Sequence, residues 1–225
     1  MFAVEVRKLE LYRLLVSQIS DRYSTKATSS KENAEILDKL LEGSKPQNKF
    51  SEWDIPIATP FRYPLPVNPI YQARFRPPNF SRNVMYGCEE KLTSAYECSY
   101  HFLKQRIHLQ KLQETGYRTL FVVKTNTEKT IDLRNRPDIH QIMNRNDYSY
   151  SYKVANDHSD SDGFLYPSCR SPESGLCAAI YQIQCLDKDV KREWNIPFDY
   201  NYKNKSVTWM RTKVLELSIK WNQVS

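Results

Sequence analysis

Hydrophobic positions recur near helical spacing in two segments at the start of the chain, residues 2–22 and residues 31–43. The apolar residues concerned are Val6, Leu9, Leu14 and Ile19 in the first segment, and Ala34, Ile36, Leu37, Leu40 and Leu41 in the second. Ser30 precedes the second segment as a helix cap and Gly43 closes it. The pattern therefore predicts a helical hairpin, a separate N-terminal extension over residues 1–45 that packs on the main domain or on a partner.

The middle of the chain changes character, with eight prolines between residues 46 and 78. Proline density of this kind excludes long helices and predicts loops with short strands, here over residues 70–75 and 84–88. Apolar and aromatic positions then return to helical spacing and predict a helix over residues 91–107. Glu97 falls on the second turn of that helix.

The second half of the chain alternates segments rich in β-branched and aromatic residues with short helical patterns. Strands are predicted over residues 117–124, 130–133, 164–166, 176–185, 206–211 and 214–221, and helices over residues 137–144 and 147–157. Separate strands and helices of this kind indicate an α+β fold, with a mixed or antiparallel β core and flanking helices. We expect this main domain to occupy residues 46–225.

Composition and charge narrow the class of protein. The chain has 225 residues, of which 40% are hydrophobic and 26% charged, values typical of a folded protein with one principal core. A net charge of +7 suits nucleic acid, an acidic partner or a phosphorylated small molecule. The basic residues are scattered and form no known nucleic-acid-binding motif, which argues against nucleic acid.

Cysteine spacing and hydropathy indicate a reducing, cytoplasmic setting. The five cysteines form an odd set without a CxxC pair, and the four histidines are dispersed, so neither a disulfide framework nor a metal site is expected. No run of eighteen apolar residues predicts a membrane span, and the N-terminus interleaves charged residues with apolar ones, unlike a signal peptide. Secretion as an effector stays open, since specialised secretion signals need not resemble one.

Two segments carry the candidate chemistry. Residues 74–97 read RFRPPNFSRNVMYGCEEKLTSAYE, and residues 162–181 read DGFLYPSCRSPESGLCAAIY. Together they indicate a pocket for a substrate with phosphates and an aromatic ring. The ordered set of RFR, YG, a glutamate eleven positions later and DGxxYPSxR resembles the RES domain over about residues 60–185.

That resemblance implies a fold related to ADP-ribosyltransferases and an enzyme that consumes NAD+ as its substrate, without a metal. It also implies the toxin of a toxin–antitoxin pair, with an antitoxin protein as a partner. The bond cleaved is the one between nicotinamide and ribose, and the ADP-ribosyl unit passes to water or inorganic phosphate. Transfer to a protein side chain is the alternative within enzymes, and a non-catalytic basic module that binds RNA or an acidic partner is the alternative outside them.

The resemblance also assigns site residues by motif position. The catalytic residues are Arg74, Glu97 and Ser168, and the substrate-binding residues are Arg76, Tyr86, Arg170 and the pair Arg62 and Tyr63. The motif arginine is either Arg74 or Arg76, and the sequence leaves that choice open. PPNFSRN follows these arginines where the family commonly has glycines.

Each residue type suits one part of this chemistry. Loss of nicotinamide passes through an oxocarbenium-like transition state, whose positive charge the carboxylate of Glu97 can stabilise. An arginine binds a diphosphate through its planar fork of donors, and the ring of Tyr86 can stack on a cationic nicotinamide. Ser168 either donates a hydrogen bond to the ligand or orients Glu97. His101, one turn after Glu97, more often packs than acts as a base.

Overall fold

The structure is a computed structural model that describes most of the chain: residues 4–16, 24, 27–47, 49–62, 73–78, 80–108, 113–210 and 217–225. The strands are β1 Val4–Arg7, β2 Glu10–Val16, β3 Met85–Cys88, β4 Gln113–Lys124, β5 Thr127–Asp132, β6 Gly163–Pro167, β7 Leu176–Ile180, β8 Lys191–Asn201, β9 Ser206–Trp209 and β10 Leu217–Lys220. The helices are α1 Lys31–Gly43, α2 Ile55–Arg62, α3 Lys91–Arg106, α4 Ile139–Ile142, α5 Ser149–Asp157 and α6 Trp221–Val224. None of these helices is long and apolar enough to cross a lipid bilayer.

Within the described ranges the strands form a single sheet in the order β1-β5-β6-β7-β3-β2-β4-β8-β9-β10. Neighbouring strands run antiparallel, except that β5 and β6 are parallel. The longest pairing joins β4 to β8, and β2 lies between β3 and β4 at the middle of the sheet. The fold is therefore α+β with a mixed, mostly antiparallel sheet, as the sequence predicts.

Both faces of the sheet are covered, which makes three apolar clusters. In the first, the buried face of α3 packs with β4, β8, β9 and α6. The second lies where α4 and α5 cover β6 and β7, and the third where α2 covers β3 and the opposite face of β7. α3 rests on β2 and β3, so a residue on its lower face looks onto the centre of the sheet.

The predicted helix over residues 2–22 is wrong for residues 4–16, which form strands β1 and β2. β2 pairs with β4 along its whole length, from Glu10↔Lys124 to Val16↔Arg118. Leu11 and Leu14 are buried in different clusters on opposite faces of the sheet. A central strand covered on both faces shows no alternation of polar and apolar residues, so local spacing alone resembles a helix.

The second predicted helix of the hairpin is confirmed as α1, whose Ser30 cap accepts a hydrogen bond from the backbone N–H of Asn33. Because β2 lies inside the sheet, the predicted boundary after residue 45 does not separate the strands of the main domain from residues 1–45. In the described part of that extension the helical residues are those of α1 together with residues 24 and 27, and residues 17–22 of the first predicted helix lie outside the described ranges.

The strands from β4 to β7, the helices α3 to α5 and the last two strands confirm the predicted elements to within a few residues, although β4 begins earlier and β7 ends earlier than expected. Two regions differ. The proline-rich segment contains α2, with Pro60 inside it, and residues 73–76 form a turn rather than the end of a strand. No pattern predicts β8, since Pro197 and four charged residues interrupt it.

Candidate active site

Glu97 occupies the second turn of α3, half-buried where the helix crosses the centre of the sheet. Its Oε1 accepts a hydrogen bond from Ser168 Oγ at 2.6 Å. The Sγ of Cys177, on β7, lies 3.9 Å from the same oxygen. A carboxylate that the motif assigned to catalysis thus meets the predicted serine, although 71 positions separate them along the chain.

The turn after β6 explains why Ser168 points its proton at Glu97. Ser168 Oγ accepts the backbone N–H of Arg170 at 3.1 Å and that of Ser171 at 3.0 Å. With both backbone donors directed at the oxygen, its one hydrogen is available for an acceptor, and the carboxylate takes it. The backbone N–H of Ser168 itself donates to the carbonyl of Gly175 at 2.7 Å, which fixes the turn. Of the two roles predicted for Ser168, this geometry matches the orientation of Glu97.

The electrostatic environment of Glu97 combines burial with nearby positive charge. Burial raises the pKa of this carboxyl above its ordinary value, whereas the hydrogen bond from Ser168 and the charges of Arg170 and Arg74 act to lower the pKa. A poorly hydrated carboxylate interacts more strongly with a positive charge than one in water. This is the property that stabilisation of a developing cation requires.

Arg74 lies on a tight turn between residues 73 and 76, closed by a hydrogen bond from the N–H of Arg76 to the carbonyl of Ala73 at 3.0 Å. Phe75 takes a φ of 59° there, in the left-handed region, with its ring fully buried. The side chain of Arg74 is 8% exposed. The turn therefore drives Phe75 into the core and turns the neighbouring arginine toward the site.

Only part of the Arg74 guanidinium is engaged. Its Nη2 donates to the carbonyl of Asn144 at 2.9 Å and to Cys169 Sγ at 3.1 Å, and its carbon lies 5.0 Å from the ring centre of Tyr148. Its Nη1 is buried and has no hydrogen-bond partner within the described residues. An unpaired buried donor costs free energy unless a ligand or water satisfies it, so this nitrogen suits an anionic ligand.

The structure distinguishes the two candidate motif arginines. Arg74 lines a cavity that Glu97 also lines, whereas Arg76 is half-buried and is not among the residues of that cavity wall. The positive charge of Arg76 still acts to lower the pKa of Tyr86, so it lies close to the site. The geometry favours Arg74 as the arginine that faces the carboxylate.

Tyr86 on β3 is half-buried, and its hydroxyl donates to the backbone carbonyl of Arg74. Burial raises the pKa of this phenol, so it remains neutral. The next residue is Gly87, where an added Cβ would lie 2.9 Å from the Cβ of Leu11 on β2. Glycine at this position lets β2 and β3 approach closely beside the site.

Two cavities meet at Glu97. The larger is about 380 Å³ and the smaller about 90 Å³. Their common wall consists of Tyr86, Gly87, Cys88, Glu97 and His101. Together these cavities offer a volume within the range of small-molecule sites, with the carboxylate at the junction.

Arg13 on β2 is a site residue that the motif analysis missed. It lines the larger cavity, and its Nη1 is buried without a hydrogen-bond partner in the described part of the chain. Burial lowers the pKa of this guanidinium, which nevertheless stays protonated because an arginine pKa is so high. One signal in the sequence could have shown it, because Arg13 is the one charged residue in the apolar run LYRLLV.

The remaining predicted residues are placed differently. Arg62 ends α2, pairs with Glu42 at 2.6 Å and is absent from the walls of both cavities, while Tyr63 lies outside the described residues. Arg170 lines the smaller cavity, but its guanidinium donates to the carbonyls of Val224 and Arg145 at 2.8 and 2.7 Å. Arg170 is thus held by the protein itself.

His101 stands at the junction of the two cavities, one turn after Glu97. Desolvation by the packed protein, together with the charges of Arg170, Lys104 and Arg13, lowers its pKa to about 4, although the residue is exposed. The imidazole is therefore neutral at physiological pH. Among the described residues, no three His, Cys, Asp or Glu side chains cluster closely enough to hold a metal ion.

Comparisons with known proteins agree with the resemblance to the RES domain. No curated protein matches the chain in sequence. A solved structure of the M. tuberculosis MbcT–MbcA toxin–antitoxin complex contains a similar chain, with 10% sequence identity, a TM-score of 0.40 and coverage of 89% of this chain and 88% of the other. A TM-score of that size does not by itself establish a shared fold. The family model of the RES domain matches residues 48–199, more than half of the sequence, and the chain therefore belongs to the RES domain family.

Proposed function

We propose that this protein consumes NAD+, cleaving the bond between nicotinamide and ribose and passing the ADP-ribosyl unit to water or inorganic phosphate. The observation that carries the proposal is the half-buried carboxylate of Glu97, oriented by Ser168 at the junction of two cavities, each with an arginine in its wall whose Nη1 has no hydrogen-bond partner among the described residues. This arrangement combines a site for a developing cation with sites for a diphosphate.

Glu97 acts on the ribose. As the bond to nicotinamide lengthens, positive charge develops on the ribose carbon, and a carboxylate at the junction of the cavities stabilises it. Desolvation of Glu97 strengthens this interaction, and the hydrogen bond from Ser168 keeps one carboxylate oxygen in place. The second oxygen is then the one directed to a ribose hydroxyl or to the reacting carbon.

Arg74 and Arg13 bind the two phosphates of the substrate. Each has a buried Nη1 without a partner among the described residues, Arg13 lines the larger cavity and Arg74 the smaller, and Glu97 lines both. Guanidinium groups bind phosphate oxygens through charge-assisted hydrogen bonds. A diphosphate in these cavities would offer acceptors to both guanidinium groups.

Tyr86 bounds the space for the nicotinamide ring. Its hydroxyl is engaged by the Arg74 carbonyl, so the ring, which belongs to the walls of both cavities, is the part offered to the ligand. An aromatic face contributes about 1 kcal/mol to binding of a cationic ring. That contribution disappears when nicotinamide leaves as a neutral molecule, which favours its release.

The direct test is to incubate the purified protein with NAD+, with and without phosphate, and to measure nicotinamide release and the identity of the ADP-ribose product. We expect turnover in the wild-type protein and at least a 100-fold loss in Glu97→Ala. Glu89→Ala, an exposed glutamate just before α3, is the matched control and should retain full activity. No turnover in the wild type under any of these conditions would remove the proposal, and radiolabel from the adenylate moiety on added protein would point to a protein acceptor.

Removal of either guanidinium should weaken substrate binding. Arg13→Met and Arg74→Met each lose a charge-assisted hydrogen bond of about 1.5–3 kcal/mol, so we expect kcat/KM to fall roughly 10- to 100-fold, mainly through KM. Arg62→Met is the matched control, because Arg62 pairs with Glu42 and lines neither cavity. Equal losses in all three variants would exclude a specific diphosphate site.

A role as a toxin with an antitoxin partner is the cellular side of the same proposal, and it rests on family membership. Expression in bacteria should lower cellular NAD+ and stop growth, while Glu97→Ala should do neither. Growth arrest by both proteins would separate toxicity from NAD+ consumption and would disprove this role.

A further inference from the structure

Arg170 is a fully buried arginine in the described chain and lies two residues after Ser168, and the mechanism above does not use its charge. Its guanidinium carbon lies 3.6 Å above the ring centre of Tyr100, on α3, one turn after Glu97. Two of its nitrogens donate to backbone carbonyls, Nη1 to Val224 and Nη2 to Arg145. Burial of this charge is costly, so each of these contacts contributes to holding it.

The Val224 carbonyl belongs to α6, a single helical turn outside the residues that match the RES domain. α6 is anchored on three sides. The ring of Trp221 stacks on that of Tyr100 with ring centres 5.8 Å apart and an angle of 11° between the planes, and the backbone N–H of Trp221 donates to the carbonyl of Lys205 at 2.8 Å. The side chain of Val224 is fully buried in the cluster beneath α3.

Hydrogen bonds from the side chain and from the backbone of Arg170 link this turn, through Ser168, to the carboxylate. The Val224 carbonyl accepts from Arg170, the backbone N–H of Arg170 donates to Ser168 Oγ, and Ser168 Oγ donates to Glu97. Movement of Arg170 would therefore move the loop that directs the serine proton.

We propose that α6 supports the candidate catalytic centre. Val224 and Trp221 hold Arg170 in place, and Arg170 in turn is a positioning residue for Ser168 and Glu97. This inference rests on the proposed function. Within that function it assigns Arg170 to the positioning of Ser168 and Glu97 rather than to substrate binding. Arg170 has a second effect, because its positive charge stabilises the ionised form of Glu97 from within the protein.

Titratable and charged groups surround Glu97 from every element packed around it. They are Tyr12 and Arg13 on β2, Arg74 before β3, Tyr86 and Cys88 on β3, Cys98, Tyr100, His101 and Arg106 on α3, Arg118 on β4, Tyr148 before α5, Tyr166 on β6, Cys169 and Arg170 after β6, and Cys177 on β7. The hydrogen bond with Cys88, together with burial, raises the pKa of the Cys177 thiol, and burial raises the pKa of the Tyr166 phenol, so both are neutral at physiological pH. The cations near Glu97 in this set are its arginines, and of these Arg170 is the one connected to α6.

The test measures the Glu97 carboxyl titration by carbon NMR, with Glu97→Gln used to assign the signal, in parallel with nicotinamide release. In Arg170→Met we expect the Glu97 pKa to rise further and kcat to fall about 10-fold or more, with KM changed less than about 3-fold. Trp221→Ala should change both quantities in the same direction by smaller amounts. Arg170→Lys keeps the charge but not the fork of donors, so it should preserve the pKa and lower kcat.

Trp53→Ala is the matched control, because Trp53 is a partly buried tryptophan in the cluster around α2, on the other side of the sheet. It should lower thermal stability without moving the Glu97 titration or kcat. The inference would be overturned if the Glu97 titration were unchanged in Trp221→Ala, or if it changed equally in Trp53→Ala. Both outcomes can be measured even where Arg170→Met fails to fold. A wild type without turnover would refute the proposed function, and the titration would still decide whether α6 positions Glu97.

Discussion

At the scale of single residues, Glu97 is a position where activity and stability oppose each other. Burial raises its pKa, so ionisation of this carboxyl costs free energy in the folded protein. A group with a folded pKa above its unfolded value contributes stability below the unfolded pKa and loses it as pH rises through the folded pKa. We expect Glu97→Gln to abolish nicotinamide release, to melt near the wild-type temperature at about pH 4, and to melt higher than wild type at alkaline pH.

Thermal unfolding across that pH range, followed by circular dichroism, checks this expectation. Glu89→Gln is the control, since Glu89 is exposed beside the same helix. Its melting temperature should follow that of the wild type at every pH. If the difference in melting temperature between Glu97→Gln and the wild type were constant with pH, or were reversed at alkaline pH, burial of the carboxylate would not be the cause of that difference.

At the scale of elements, β2 determines whether the start of the chain is an appendage or part of the core. Leu11 on this strand is 1% exposed, whereas Leu40 on α1 is 67% exposed. The same substitution at the two positions therefore separates the two elements. We expect Leu11→Ala to lower the free energy of unfolding by about 2–5 kcal/mol and Leu40→Ala by no more than about 0.5 kcal/mol, measured by urea denaturation. Similar losses would contradict the position of β2 in the sheet.

The helices and strands differ in how far the sequence alone could predict them. α3 was predictable, because one of its faces is polar and its apolar positions keep helical spacing. β2 was not, because its two faces contact two different clusters that only the completed sheet creates. β8 carries Pro197 and charged residues, and its position follows from its long pairing with β4. A local sequence pattern shows which face of a single helix or strand is buried, but it does not show which distant segments pair in the sheet.

At the scale of the whole molecule, the site is assembled from segments far apart in sequence. The motifs predicted the meeting of Arg74, Glu97 and Ser168, because the family pattern preserves their order. They did not predict Arg13 or the contact between Val224 and Arg170, because β2 and α6 lie outside the matched residues and reach the site only through the fold of the sheet. Sequence motifs therefore identified the candidate reacting group, and the fold added the residues that contact it.

The net charge of +7 and the arginines beside Glu97 should also guide the substrate to the site. NAD+ carries a negatively charged diphosphate, which the positive charge of the protein attracts. Salt screens this attraction, with a Debye length of about 8 Å at physiological ionic strength. We expect kcat/KM to fall several-fold between about 20 and 300 mM salt while kcat changes little. Stopped assays of nicotinamide release at several salt concentrations measure both quantities.

Two variants that each lose one positive charge distinguish the effect of charge at the site from the effect of the net charge of the protein. Arg13→Met removes a charge from the cavity wall, whereas Lys203→Met removes one from the exposed turn between β8 and β9. The first should flatten the dependence of kcat/KM on salt, and the second should leave it close to that of the wild type, because screening weakens distant charges most. Equal slopes in both variants would mean that net charge, rather than the placement of Arg13, attracts the substrate.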